Sequence, residues 1–79
     1  MTEDPKNRLV QILNEVGMEV HRAHEKYGDF KSLHEAYAVL LEETEEMWET
    51  IRKKQSRERT REEAIQVAAA VVAMIQDLL

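Results

Sequence analysis

Between Ala64 and Ile75 only Gln66 is polar, so a helix through this stretch carries apolar side chains around its whole circumference. A helix of that kind is normally buried on all sides. It is too short to cross a bilayer, which takes about 20 such residues. Other helices must therefore pack around it. Two further helices from the same chain leave surface uncovered, so the pattern predicts a second copy of the chain. A two-fold dimer would bring the Ala68-Ala69-Ala70 run, whose small side chains permit close approach, into a bundle core of four or more helices. A fused domain or a larger hetero-complex would meet the same need.

The 79 residues make one small domain, 1–79, that is 43% hydrophobic and 34% charged and has no cysteine. A single core of this size supplies only about 3–5 kcal/mol, and natural small domains add disulfides, metal or partner subunits. Without thiols the first of these is closed. The polar start, Met1 to Asn7, lacks the apolar segment of a secretory signal, which places the expected compartment in the cytoplasm.

The fold class expected is all-α, with three helices per protomer and a four-helix-type bundle on self-association. Asp4-Pro5 reads as an N-cap followed by proline at the first helical position. The first helix carries a stripe of Leu9, Ile12, Leu13, Val16, Val20, Ala23 and Tyr27 and ends at Gly28. Ser32 and Glu35 have capping-box spacing, which predicts a second helix from Leu33 to about Lys54. Its face of Leu33, Tyr37, Leu40, Leu41, Met47, Trp48 and Ile51 is expected on the first helix, with Trp48 in the core. A narrower face holds Ala36, Val39, Glu43 and Glu46. A polar connection, Gln55 to Arg59, precedes a second capping-box pattern at Thr60 and Glu63, which predicts the start of the third helix.

Glu43 and Glu46 are three apart and share a helix face, and Glu63 follows across a basic stretch. That is the spacing a magnesium site built from two packed helices requires. Magnesium takes oxygen ligands, keeps several waters and shares its shell with substrate phosphates. Glu42, Glu43, Glu45, Glu46 and Glu49 crowd two turns, and like charges at i,i+4 each cost a few tenths of a kcal/mol, a sign that a cation reverses. A solvated glutamate face, with Glu49 supported by Lys53, also accounts for the run, and the capping boxes account for Glu35 and Glu63.

The stretch His34 to Ile75 resembles the MazG-like branch of the all-α nucleoside triphosphate pyrophosphohydrolases. The likeness rests on Leu41-Glu42-Glu43-Thr44-Glu45-Glu46-Met47 and on Glu63-Ala64-Ile65-Gln66-Val67-Ala68-Ala69. Those proteins carry an ExxE…ExxD pattern on two helices, bind magnesium through its four carboxylates, hydrolyse a nucleoside triphosphate to the monophosphate and pyrophosphate, and work as dimers or tetramers. The resemblance implies that Glu43, Glu46 and Glu63 are catalytic and metal-binding. It sets Gln66 in the place of the aspartate, where a neutral carbonyl oxygen can ligate but a full negative charge is lost. Asp77, three turns further on, is too distant to replace it.

Six of the eleven lysines and arginines lie between the two halves of the motif. As part of an enzyme, Lys53, Lys54, Arg57 and Arg61 are expected to contact phosphates. As part of a plain helical module, the same cluster is a solvated connection that complements the C-terminus of the second helix. The net charge of −5 and the lack of interleaved aromatics weigh against nucleic acid. His21 and His24 are three apart but find no cysteine and no evident third ligand, which weighs against zinc. Two functions remain in view: a magnesium-dependent pyrophosphohydrolase, and a non-catalytic dimeric interaction module of the same fold.

Overall fold

The structure, a computed structural model, describes residues 4–79; residues 1–3 of the polar start lie outside the described residues. It consists of α1 (Pro5–Tyr27), α2 (Leu33–Arg52) and α3 (Arg57–Leu78), with no strand among the described residues. The Asp4 carboxylate accepts the Lys6 N–H at 2.8 Å, and Pro5 opens α1. Gly28 closes it at φ +79°, where a residue without a Cβ is at least cost, and its N–H donates to the His24 carbonyl at 2.9 Å. Ser32 Oγ accepts the Glu35 N–H at 3.1 Å to start α2. Glu35 Oε1 turns back to the Lys31 N–H at 2.8 Å, one residue before the usual capping-box partner.

The second connection is tighter than expected. α2 ends at Arg52 instead of Lys54, because the Lys54 N–H donates to the Ile51 carbonyl (3.1 Å) and the Gln55 N–H to the Thr50 carbonyl (2.9 Å). These two bonds form a Schellman closure with Lys54 in the left-handed region at φ +53°. Ser56 then caps α3, its Oγ accepting the Arg59 N–H at 3.1 Å, so α3 begins one turn before the Thr60 pattern. Thr60 lies within the helix, and its hydroxyl donates at 2.9 Å to that of Thr50, which donates to the Met47 carbonyl at 2.7 Å. Thr50 is 2% exposed, and this relay leaves its hydroxyl satisfied.

α1 and α2 each pack on α3, and among the described residues they do not pack on one another. This overturns the expected contact of the broad α2 face with α1. Leu33, Tyr37, Leu41 and Ile51 are exposed, and Trp48, expected in the core, is 55% exposed. The physical reason lies in α3, which is apolar on every side and receives one helix on each flank. α2 approaches it through its narrower face, where Ala36 is 1% exposed, and Ala69, Ala70 and Ala73 of α3 are buried. Small side chains let the backbones come close. Val16 and Val20 of α1 meet Ala69 and Ala73 in the core, edged by Ile12, Phe30, Ile65 and Ala68.

Asp77 fastens the open end of this arrangement. Its carboxylate oxygens accept from His24 Nε2 at 2.9 and 3.0 Å and from the Phe30 N–H at 2.9 Å, tying the last turn of α1 and the connection after it to the end of α3. The Asp77 side chain is 5% exposed. Burial alone would raise its pKa, but the His24 and Phe30 hydrogen bonds outweigh that and hold the carboxyl below the ordinary aspartate range. A folded-state pKa that is depressed contributes stability above the unfolded value and loses it as pH falls through the folded one. Asp77→Asn is expected to lower stability near neutral pH by about 1.5–3 kcal/mol, the usual worth of hydrogen bonds to a charged group. The gap from wild type should close in thermal melts taken at falling pH below about 4, where the aspartate itself becomes protonated.

Candidate metal centre

Because α1 and α2 flank α3 without touching, a cleft of about 660 Å³ opens between them, floored by α3. Glu43 and Glu46 enter it from α2, and Glu63 and Gln66 from the first half of α3. Residues three apart lie one above the other on a helix, so each pair is presented together. One carboxylate oxygen from each of Glu43, Glu46 and Glu63 lies within 4.8 Å of the other two. Gln66 lines the same cleft.

Three carboxylates this close repel one another. The Glu43 pKa is raised, first by burial and then by the charges of Glu46, Glu63, Glu42 and Glu19. Glu63, whose side chain is 12% exposed, has partial compensation: Arg59 Nη2 donates to its Oε1 at 3.1 Å, while Arg59 Nη1 holds Glu62 at 2.8 Å. Arg59 thus fixes the orientation of one member of the trio.

The four cations expected to contact phosphates are not gathered at the cleft. Lys53 pairs with Glu49 at 3.2 Å, Lys54 sits in the left-handed turn, and Arg57 occupies the first position of α3. Arg61 reaches Glu15 of α1, with Nη2 to Oε2 at 2.5 Å. Two residues along a helix amount to roughly a 200° turn, so Arg61 faces away from the side that carries Glu63. The lysine and arginine that line the cleft are Lys31, before α2, and Arg22 of α1. No spacing pattern in the sequence marks either of them.

His24 was also poorly legible. Instead of sharing a site with His21, which pairs with Glu25 at 3.0 Å in solvent, it meets Asp77 and lies 3.5 Å from Asp29. The three could hold a cation by proximity. The nitrogen that would ligate is the one already bonded to Asp77, so the trio serves as an internal tether of the fold.

Comparison with known proteins finds no counterpart: no family model, curated protein or solved structure matches the chain.

The glutamate trio suits magnesium on its own chemistry. Octahedral magnesium holds oxygens at about 2.0–2.1 Å, which sets opposite ligands about 4.2 Å apart. Adjacent ligands on the same octahedron lie only about 2.9 Å apart, so three oxygens that converge within 4.8 Å reach one ion by side-chain rotations that draw them together. The donors are hard oxygens, and Gln66 lines the same cleft. A raised carboxyl pKa means that ionising Glu43 costs stability as pH rises through its folded value. Glu43→Gln is accordingly expected to raise the melting temperature in chelator near neutral pH, with the gain vanishing below the ordinary glutamate range. Added magnesium should raise the melting temperature of the wild type and leave the variant unmoved, a paired readout by differential scanning fluorimetry.

Proposed function

We propose that the chain is a magnesium-dependent nucleoside triphosphate pyrophosphohydrolase of the MazG-like type, acting in the cytoplasm on a nucleoside or deoxynucleoside triphosphate. The observation that carries this reading is the convergence of Glu43, Glu46 and Glu63 on a cleft of about 660 Å³, a volume in the range of small-molecule sites. Glu43, Glu46 and Glu63 would hold the ion, with Gln66 as a neutral fourth donor. Magnesium bound there supplies charge neutralisation for phosphate oxygens and a more acidic water. In the net reaction a water oxygen bonds to the α-phosphorus and the bond from that phosphorus to the α–β bridging oxygen breaks. Pyrophosphate leaves with the electron pair, and the water's proton passes to a carboxylate of the cluster. The remaining task of the protein is to orient the phosphates and limit water, for which the cleft walls serve.

Gln66 favours a second reading, in which the fold is kept as an interaction module and the chemistry is lost. Replacing an expected acid by an amide removes one of four charges that would hold the ion. Under both readings two copies associate, and the outer face of α2 supports this. Leu33, Tyr37, Leu41, Trp48 and Ile51 recur at helical spacing along one side of α2 and are 46–62% exposed. A seam of this kind suits antiparallel or parallel pairing of α2 with its copy in a four-helix-type bundle.

Two experiments follow. Purified protein with magnesium should release pyrophosphate from at least one member of a triphosphate panel, and Glu46→Gln should reduce the rate by about 10²-fold or more, as loss of a charge-stabilising group does. A silent wild type that gains activity on Gln66→Asp would favour the module reading. Light scattering should report a dimer or larger, and Trp48→Lys should shift it to the monomer; a wild-type monomer would refute the α2 seam.

A further inference from the structure

The cleft has an electrostatic problem that its glutamates do not solve. Three carboxylates and one divalent ion leave a net negative charge, and Glu19 and Glu42 add to it from the walls. A triphosphate is repelled by such a site unless a fixed cation faces the same volume. Two cations line the cleft among the described residues, Lys31 and Arg22, and of these the guanidinium fork of Arg22 is the one that matches phosphate oxygens two at a time.

Arg22 occupies a distinctive position. It projects from α1, on the wall opposite Glu43 and Glu46, so a ligand held by the trio and by Arg22 would span the cleft from side to side. Its Nε donates to Glu19 at 3.0 and 3.1 Å and its Nη2 at 2.5 Å, while no hydrogen bond among the described residues engages Nη1. Arg22 is 53% exposed and Glu19 only 15%. The carboxylate is therefore the anchored partner and the guanidinium the accessible one. The charges of Glu19 and Glu43 both act on Arg22. As a surface ion pair at i,i+3 the contact is weak, which makes it easy to exchange.

We infer that Arg22 is the phosphate-binding residue of this cleft, held in place by Glu19 in the free protein and exchanging that carboxylate for the β- and γ-phosphate oxygens when a polyphosphate binds. The inference rests on the polyphosphate reading of the site given above. It assigns to α1 the role that the sequence suggested for Lys53, Lys54, Arg57 and Arg61. It also gives Glu19 a function, as the stand-in that keeps the guanidinium extended over the cleft and is released at binding.

The test is calorimetric titration of inorganic tripolyphosphate into protein at saturating magnesium, with magnesium alone titrated in parallel and folding checked by circular dichroism. Arg22→Gln should weaken tripolyphosphate binding roughly tenfold to a hundredfold, the worth of charge-assisted hydrogen bonds, without weakening magnesium. Arg22→Lys, which keeps the charge and loses the fork, should fall between. Glu19→Gln should tighten tripolyphosphate roughly two- to fivefold by removing the competing carboxylate. Glu42→Gln serves as the control for a general loss of negative charge and should tighten it less.

A structural ion pair would move Arg22→Gln and Glu19→Gln in the same direction, and that result would overturn the exchange, as would equal gains in Glu19→Gln and Glu42→Gln. Unchanged tripolyphosphate binding in Arg22→Gln with magnesium retained would overturn the inference and leave the metal centre standing. Wild-type protein that binds magnesium but not tripolyphosphate would do the same. Failure to bind either would overturn both.

Discussion

α3 is the wall that the other two helices share, and its apolar circumference is the constraint on which the molecule depends. A helix with one apolar stripe accepts one neighbour there; a helix that is apolar all round accepts neighbours wherever they arrive. α1 and α2 take separate flanks of α3, and the space left between them becomes the cleft. The alanines at 69, 70 and 73 matter for the same reason, since they bring the flanking backbones near enough for the helices to be held by modest buried area. Among the described residues no large side chain is fully buried, so closeness of approach substitutes for bulk.

The polar contacts add what apolar contact cannot, which is direction. Thr50 and Thr60 lock α2 to α3 beside the Schellman turn, Arg61 and Glu15 join α3 to α1, and Asp77 draws His24 and the Phe30 amide onto the far end of α3. Of these groups His24, Phe30 and Asp77 line the cleft, while Thr50, Thr60, Arg61 and Glu15 hold the helices together outside it. Its centre is left to Glu43, Glu46 and Glu63, whose mutual repulsion is a cost that the fold accepts. Groups held together at such cost are characteristic of functional sites.

Much of this was legible in the residues. Caps at Asp4, Gly28 and Ser32 are local, decided by one or two hydrogen bonds, and α1 and the start of α2 follow from them. The start of α3 was misread because Thr60 and Ser56 both offer a capping hydroxyl, and only the closure around Lys54 decides between them. The face of α2 was misread because hydrophobic bulk pointed outward to Trp48 and Leu41, whereas the contact is made by Ala36, and close approach carries no signature in hydropathy. In the cleft, helical spacing alone puts Glu43 and Glu46 on one face, whereas their convergence with Glu63 depends on the packing of α2 on α3. Arg22, His24 and Asp77 were not legible, because their meeting depends on how far apart in the chain two helices come together, up to 53 positions for His24 and Asp77.

Since α1 and α2 meet only through α3, substitutions on their solvent-facing sides share no neighbour within the protomer, and changes at such sites combine nearly additively. Across the cleft the walls are coupled, because the charge of Glu43 reaches Arg22 and residues of both helices line one volume. The outer sides of the two helices are thus free to vary separately, while α3, pressed from both flanks, admits only changes that both tolerate.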